Sequence, residues 1–187
     1  MVIIVLMYPA IFLDRDGVII ENRASYVRSW SDVEIYPQAL EALASLKDSP
    51  YKIVLVTNQS GIGRGLISLE VAEAINQRLL GVIEAAGGRI DGVFMCPHAP
   101  EDNCDCRKPR PGLLLQAAEQ LSLDLSRSIL IGDALSDLKA GIAAGVQKVG
   151  IVRTGRGAQQ LQSSEAAALE PFLSYNTLAE ALSDLVK

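Results

Sequence analysis

Short runs dominated by apolar residues, at 11–13, 53–56, 92–95, 128–131 and 148–152, alternate with longer segments in which apolar residues recur every three or four positions. Runs apolar on both faces fit strands buried in a parallel sheet, and the longer period fits helices covering it. The alternation predicts repeated βα units: an α/β fold in three layers, with a parallel sheet ordered 3-2-1-4-5 and helices on both sides. Pro37 opens one expected helix, with Ala39, Leu40, Leu43 and Leu46 on its buried face and an end near 48–50. A glycine-rich turn is expected at 60–65, followed by a helix that Ser68 caps and Gly87-Gly88 closes. Pro111 opens another, with Leu114, Leu115, Ala118 and Leu121 turned inward, and 135–144 forms a short helix ended by Gly145. The polar, alanine-rich stretch 159–168 reads as a mobile segment and 177–186 as a surface helix.

At 187 residues the chain is expected to form a single domain over its whole length, 1–187. Its 22 acidic and 17 basic residues give a net charge of −5, and no basic run resembles a nucleic-acid footprint. The apolar start, 2–7, lacks the basic flank of a signal peptide and reads as an extra strand or an extended start. No run approaches the roughly 20 residues of a membrane span. A soluble, cytoplasmic monomer acting on a small molecule is expected.

Candidate chemistry sits where the strand-like runs end. Asp14 and Asp16 follow the first, Thr57-Asn58-Gln59 the second and Asp133 the fourth, with Asp137 four residues on. In the expected strand order these positions share one edge of the sheet, where open α/β folds bind ligands. Asp14 suits a nucleophile attacking phosphorus, and Asp16 an acid that protonates the leaving alcohol and then a base that activates water. Two like charges about 4 Å apart repel by about 4 kcal/mol at an effective dielectric near 20, so the cluster calls for a cation, and Mg²⁺ suits oxygen ligands. Thr57 and Lys108 offer a hydroxyl and a positive charge to developing negative oxygens. A lone Asp-x-Asp is more often a solvated loop; the order of all the motifs together favours catalysis.

Phe12-Leu13-Asp14-Arg15-Asp16-Gly17, Val56-Thr57-Asn58-Gln59-Ser60-Gly61, Cys106-Arg107-Lys108-Pro109 and Gly132-Asp133-Ala134-Leu135-Ser136-Asp137 resemble the four motifs of haloacid-dehalogenase-type phosphatases. The resemblance spans roughly 10–157. It implies a Rossmann-like sandwich, an aspartyl-phosphate mechanism, and Mg²⁺ held by Asp14, the backbone carbonyl of Asp16, and Asp133, with Asp137 a supporting acid. Neither the segment after the first motif nor that between the second and third is long enough for a cap domain, so loops cover the site.

All three cysteines and the only histidine fall within 96–106: Cys96, His98, Cys104 and Cys106. Three thiolates and one imidazole complete the tetrahedron of a structural Zn²⁺ with no position left for water. A disulfide would strand one cysteine; it and spectator thiols are the alternatives. Because Arg107 and Lys108 follow Cys106 directly, zinc would anchor the loop that carries them.

The cysteine-histidine spacing within such a phosphatase resembles two branches, heptose 1,7-bisphosphate 7-phosphatases and histidinol-phosphate phosphatases. Arg107-Lys108-Pro109-Arg110-Pro111-Gly112 and Val152-Arg153-Thr154-Gly155 favour the heptose branch, and histidinol phosphate is the alternative. Asn58, Gln59, Ser60, Arg107 and Lys108 are expected substrate contacts, and the resemblance implies Glu21, Asn22 and the Tyr26 segment as contacts to sugar hydroxyls. Arg110, Arg153 and Arg156 are further rim candidates, with Arg110 and Arg156 each reading on its own as ordinary solvated surface. A macromolecular phosphatase, a non-catalytic phosphoacceptor or a zinc-stabilised binding module are rival readings. The acid/base position of Asp16 argues against a phosphoacceptor.

Overall fold

A computed structural model describes residues 6–169 and 171–186. In chain order the elements are β1 (Ala10–Leu13), α1 (Pro37–Ser45), β2 (Lys52–Asn58), α2 (Ser60–Gly63), α3 (Leu69–Ala85), β3 (Gly92–Cys96), α4 (Gly112–Leu121), β4 (Ile129–Gly132), α5 (Leu135–Ala144), β5 (Lys148–Val152), α6 (Gly157–Gln160), α7 (Ser164–Leu169), β6 (Leu173–Tyr175) and α8 (Leu178–Leu185). The strands form one parallel sheet in the order 3-2-1-4-5-6.

Period-two alternation divides each central strand between two cores. Ile11, Leu13, Ile53, Leu55, Ile129 and Ile131 face one side, against Leu43 of α1, Leu79 of α3 and Leu182 of α8. Phe12, Val54, Val56 and Leu130 face the other, against Leu113 and Leu114 of α4 and Leu138 of α5. With both faces covered the strands need no polar alternation, which is why they read as unbroken apolar runs.

Helix ends follow local chemistry. Pro37 occupies the first turn of α1, where its missing N–H costs nothing. The Ser68 hydroxyl accepts the N–H of Val71 at 3.3 Å to start α3. Gly145 closes α5 at φ +77°, a left-handed conformation that penalises a side chain.

Several expectations need correcting. A sixth strand, β6, extends the predicted order; it has only three residues, two of them exposed. In α4 the buried residues are Leu113, Leu114 and Ala117, and Leu115 is 48% exposed, because the helix begins one residue later than Pro111 and its inward face is rotated. The stretch 159–168 contributes to α6 and α7 and buries Ala166. The terminal helix α8 is amphipathic, burying Leu178, Ala181, Leu182 and Leu185 in the core shared with α1. The predicted turn at 60–65 begins with the short helix α2. Of the apolar start, residues 1–5 lie outside the described residues, and Tyr8 makes an isolated parallel bridge to Leu123.

The segments above the carboxyl edge of the sheet, 14–36 and 97–111, contain turns and single 3₁₀ turns, with isolated bridges from Ile20 to Asp16 and to Ile35 in the first. Trp30 in the first is tied to α3 by the Arg78 guanidinium, 4.5 Å from its ring centre. No helix among the described residues is long and apolar enough to cross a membrane.

Candidate active site

Strand register places the acidic residues. Leu13 pairs with Leu55 of β2 and with Ile131 of β4, so Asp14 emerges level with Val56 and Gly132, one residue short of Thr57 and Asp133. The chain turns to β2 on one side of β1 and to β4 on the other, which opens a crevice at this edge. Carboxylate oxygens of Asp14, Asp133 and Asp137 all lie within 4.8 Å of one another. The three residues are at most 5% exposed.

Glycines make this convergence possible. Gly17, at φ +83°, and Gly155, at φ +57°, press against the Asp133 carboxylate, and a Cβ at either would collide with it. The Thr154 hydroxyl ties the two turns together by donating to the carbonyl of Gly17 at 2.5 Å.

So dense a set of acids is compensated by cations. The Lys108 ammonium, 3% exposed, lies 3.1 Å from Asp14 Oδ1 and 2.5 Å from Asp137 Oδ1, and donates to the carbonyl of Val56 at 2.6 Å. Burial alone would lower its proton affinity, but Asp137 and Asp14 outweigh that and hold it above the ordinary lysine range. Burial pushes the Asp137 carboxyl up to about 6, against the pull of Lys108. Asp137 also accepts the backbone N–H of Ala134 at 3.0 Å, fixing the start of α5. Burial likewise raises Asp133, against the pull of Arg156.

Asp16 is held by a different group. Arg15, 1% exposed, donates to it through Nε at 3.1 Å and Nη2 at 3.3 Å, and reaches Asn76 Oδ1 of α3 with Nη1 at 2.8 Å. Gln59 Nε2 donates to Asp16 at 2.8 Å and to the Thr57 hydroxyl at 2.9 Å. Asn58 clamps the backbone of Lys108 with two bonds, its Nδ2 donating to the carbonyl at 3.0 Å and its Oδ1 accepting the N–H at 3.1 Å. The amides of Asn58 and Gln59 are therefore engaged in holding Lys108 and Asp16.

A cavity of about 590 Å³ opens over these groups. Of the residues the sequence singles out, Asp14, Asp16, Asn22, Asn58, Gln59, Ser60, Arg107 and Lys108 line it. Thr57, 1% exposed, lies beneath it, and Glu21 is outside the lining, its carboxylate accepting the N–H of Asn22 at 3.0 Å. Arg110 and Arg153 are also outside the lining, whereas Arg23 and Arg64, which the sequence does not single out, join Arg107 and Arg156 there. Neither rim candidate read as solvated surface is idle. Arg156 grips Asp133 through its backbone N–H at 2.9 Å, Nε at 3.2 Å and Nη2 at 2.9 Å. Arg110 donates to the carbonyls of Asn103 and Cys104 within the cysteine loop.

In that loop Cys96, the last residue of β3, meets His98, Cys104 and Cys106. The sulfur atoms are 3.2–3.6 Å apart, and His98 Nδ1 lies 3.7 Å from Cys96 Sγ and 3.3 Å from Cys106 Sγ. A tetrahedron with metal–sulfur bonds of about 2.3 Å has edges of about 3.7 Å, so the four donors fit one ion with slight expansion. Burial, with Cys96 and Cys104 adding, pushes the Cys106 thiol up to about 12, whereas at Cys104 burial is outweighed by hydrogen bonds from Cys106 and Cys96, which lower that thiol. The acid cluster also fits a cation: carboxylate oxygens of three buried acids converge within 4.8 Å, and every donor is a hard oxygen.

Residues 105–181 match the family described as HAD-hydrolase-like. A D-glycero-β-D-manno-heptose-1,7-bisphosphate 7-phosphatase from Pseudomonas aeruginosa is 40% identical over 81% of this chain and 84% of its own length. One of the same name from Helicobacter pylori is 45% identical over 74% of this chain and 79% of its own. Among solved structures, the D,D-heptose 1,7-bisphosphate phosphatase of Bordetella bronchiseptica, complexed with magnesium and phosphate, superposes with a TM-score of 0.87 at 36% identity, covering 95% of this chain and 97% of that one.

Proposed function

The chain belongs to the haloacid-dehalogenase-like phosphatases, and from that premise we propose that it removes the 7-phosphate of D-glycero-D-manno-heptose 1,7-bisphosphate through a phosphorylated Asp14. The observation that carries the reading is the meeting of Asp14, Asp133 and Asp137 within 4.8 Å at the sheet edge, under a cavity lined with four arginines. A substrate with two phosphates suits such a rim, since guanidinium groups match phosphate oxygens in pairs. Among the described residues Arg107 touches only the carbonyl of His98, while Arg23, Arg64 and Arg156 each also hold a carboxylate.

Asp14 attacks phosphorus while Asp16, fixed by Arg15 and Gln59, gives a proton to the departing sugar oxygen. Asp16, now a carboxylate, takes a proton from water, which attacks the aspartyl phosphate; inorganic phosphate leaves and Asp14 is restored. Lys108 orients Asp14 and meets the charge that develops on the phosphoryl oxygens. Mg²⁺ would be held by Asp14, the backbone carbonyl of Asp16, and Asp133, and when bound it screens the anionic nucleophile from the anionic ester. Zn²⁺ would be held by Cys96, His98, Cys104 and Cys106, keeping the Arg107-Lys108 segment in place. Asp137 acts by holding Lys108.

The test is steady-state kinetics with Mg²⁺ on the heptose bisphosphate and on histidinol phosphate side by side. The bisphosphate is expected to have the higher kcat/KM. A preference for histidinol phosphate would reject the substrate, and no turnover of any phosphate ester would reject the reaction.

A further inference from the structure

Each acid of the site has a protein cation of its own. Arg15 serves Asp16, Lys108 bridges Asp14 and Asp137, and Arg156 serves Asp133. The first two cations are at most 3% exposed and packed in place. Arg156 differs: its side chain is 50% exposed and lines the cavity, yet it makes a two-pronged contact with a carboxylate that is 0% exposed. Its Nη2 engages Asp133 Oδ1 and its Nε engages Oδ2.

We propose that the Arg156 side chain competes with the divalent metal for Asp133 and thereby sets the affinity of the site; this rests on the Mg²⁺ reading above. A metal drawing on Asp14 and Asp133 must share or displace a guanidinium contact and tolerate a positive charge a few ångströms away. The side chain can yield at little structural cost, because Asp133 does not depend on it for position. The backbone N–H of Arg156 stays on Oδ2 whatever the side chain, and Gly17 and Gly155 pack closely against the same carboxylate. Residue 156 thus has two separable parts, a fixed amide that aims Asp133 and a movable cation that opposes the metal.

The experiment is calorimetric titration of Mg²⁺ into wild type, Arg156→Ala, Arg156→Lys and Asp133→Asn, without substrate and at fixed ionic strength. Arg156→Ala is expected to bind Mg²⁺ about tenfold more tightly or better, since it loses a nearby charge and a competing donor, and Arg156→Lys, which keeps the charge, to fall between. Should Arg156→Ala fail to fold, Arg156→Gln, which keeps much of the length without the charge, is expected to tighten binding likewise. Unchanged or weaker binding in a folded, uncharged variant overturns the inference while leaving the metal site intact. Binding that survives Asp133→Asn undiminished overturns the metal reading and the inference with it.

Discussion

Asp14 and Asp16 are separated by one residue yet meet different partners, Lys108 in one case and Arg15 with Gln59 in the other, a difference that suits the separate roles proposed for them. Asp14→Asn is expected to abolish steady-state turnover with the circular dichroism spectrum preserved. Asp16→Asn should lower kcat by about 10²–10⁴ with little change in KM, because it removes proton transfer and leaves binding intact. Gly17→Ala would drive a Cβ into the Asp133 carboxylate from a backbone at φ +83°, so calorimetry on the folded variant should find Mg²⁺ affinity sharply reduced. The thiols supply a pH dependence. With Cys106 pushed up to about 12, protons occupy sulfur at neutral pH and must leave when metal binds. Apparent Zn²⁺ affinity should therefore rise with pH and fall in acid, with about two to three protons released per ion, measurable by chelator competition in an indicator-buffered solution.

At the scale of elements, α3 and α8 matter to the site and core in ways their sequences only half disclose. Asn76 is 4% exposed on α3 and reaches Arg15, so Asn76→Ala should leave a buried guanidinium N–H without its partner and cost about 1–3 kcal/mol in urea unfolding. Leu182 of α8 is 3% exposed in the core shared with α1, and Leu182→Ala should cost about 2–5 kcal/mol. If zinc anchors Lys108 as proposed, a folded Cys104→Ala protein should lose turnover while keeping Mg²⁺ affinity, and full retention of turnover would refute the anchoring role. Central strands were legible because burial on both faces leaves no polar residue to confuse the pattern, and Gly145 and Ser68 marked helix ends by local rules that context does not override. Strand β6 was not legible, since a three-residue edge strand with two exposed positions carries no pattern. The inward face of α4 is not legible either, because Leu113, Leu114 and Leu115 are consecutive leucines that period alone cannot rank.

For the molecule as a whole, the convergence of Asp14, Thr57 and Asp133 is legible because each follows a strand-like apolar run, and a parallel sheet delivers the ends of its strands to one edge. What stayed hidden were partnerships that depend on where long side chains turn after the backbone is placed: Arg15 with Asn76, and Arg156 with Asp133. The latter reads from sequence as a surface arginine, and only the convergence of β1, β4 and the turn after β5 makes it a site residue. Mg²⁺ at 100 times its Kd should stabilise the native state by about 2.7 kcal/mol, seen as a rise in Tm that Asp133→Asn lacks. The central claim, two successive displacements at phosphorus through Asp14, is tested most directly by the stereochemical course of hydrolysis of a phosphate ester made chiral with sulfur and oxygen isotopes. Double displacement predicts net retention of configuration at phosphorus; net inversion would mean that water attacks the ester directly and would contradict the account.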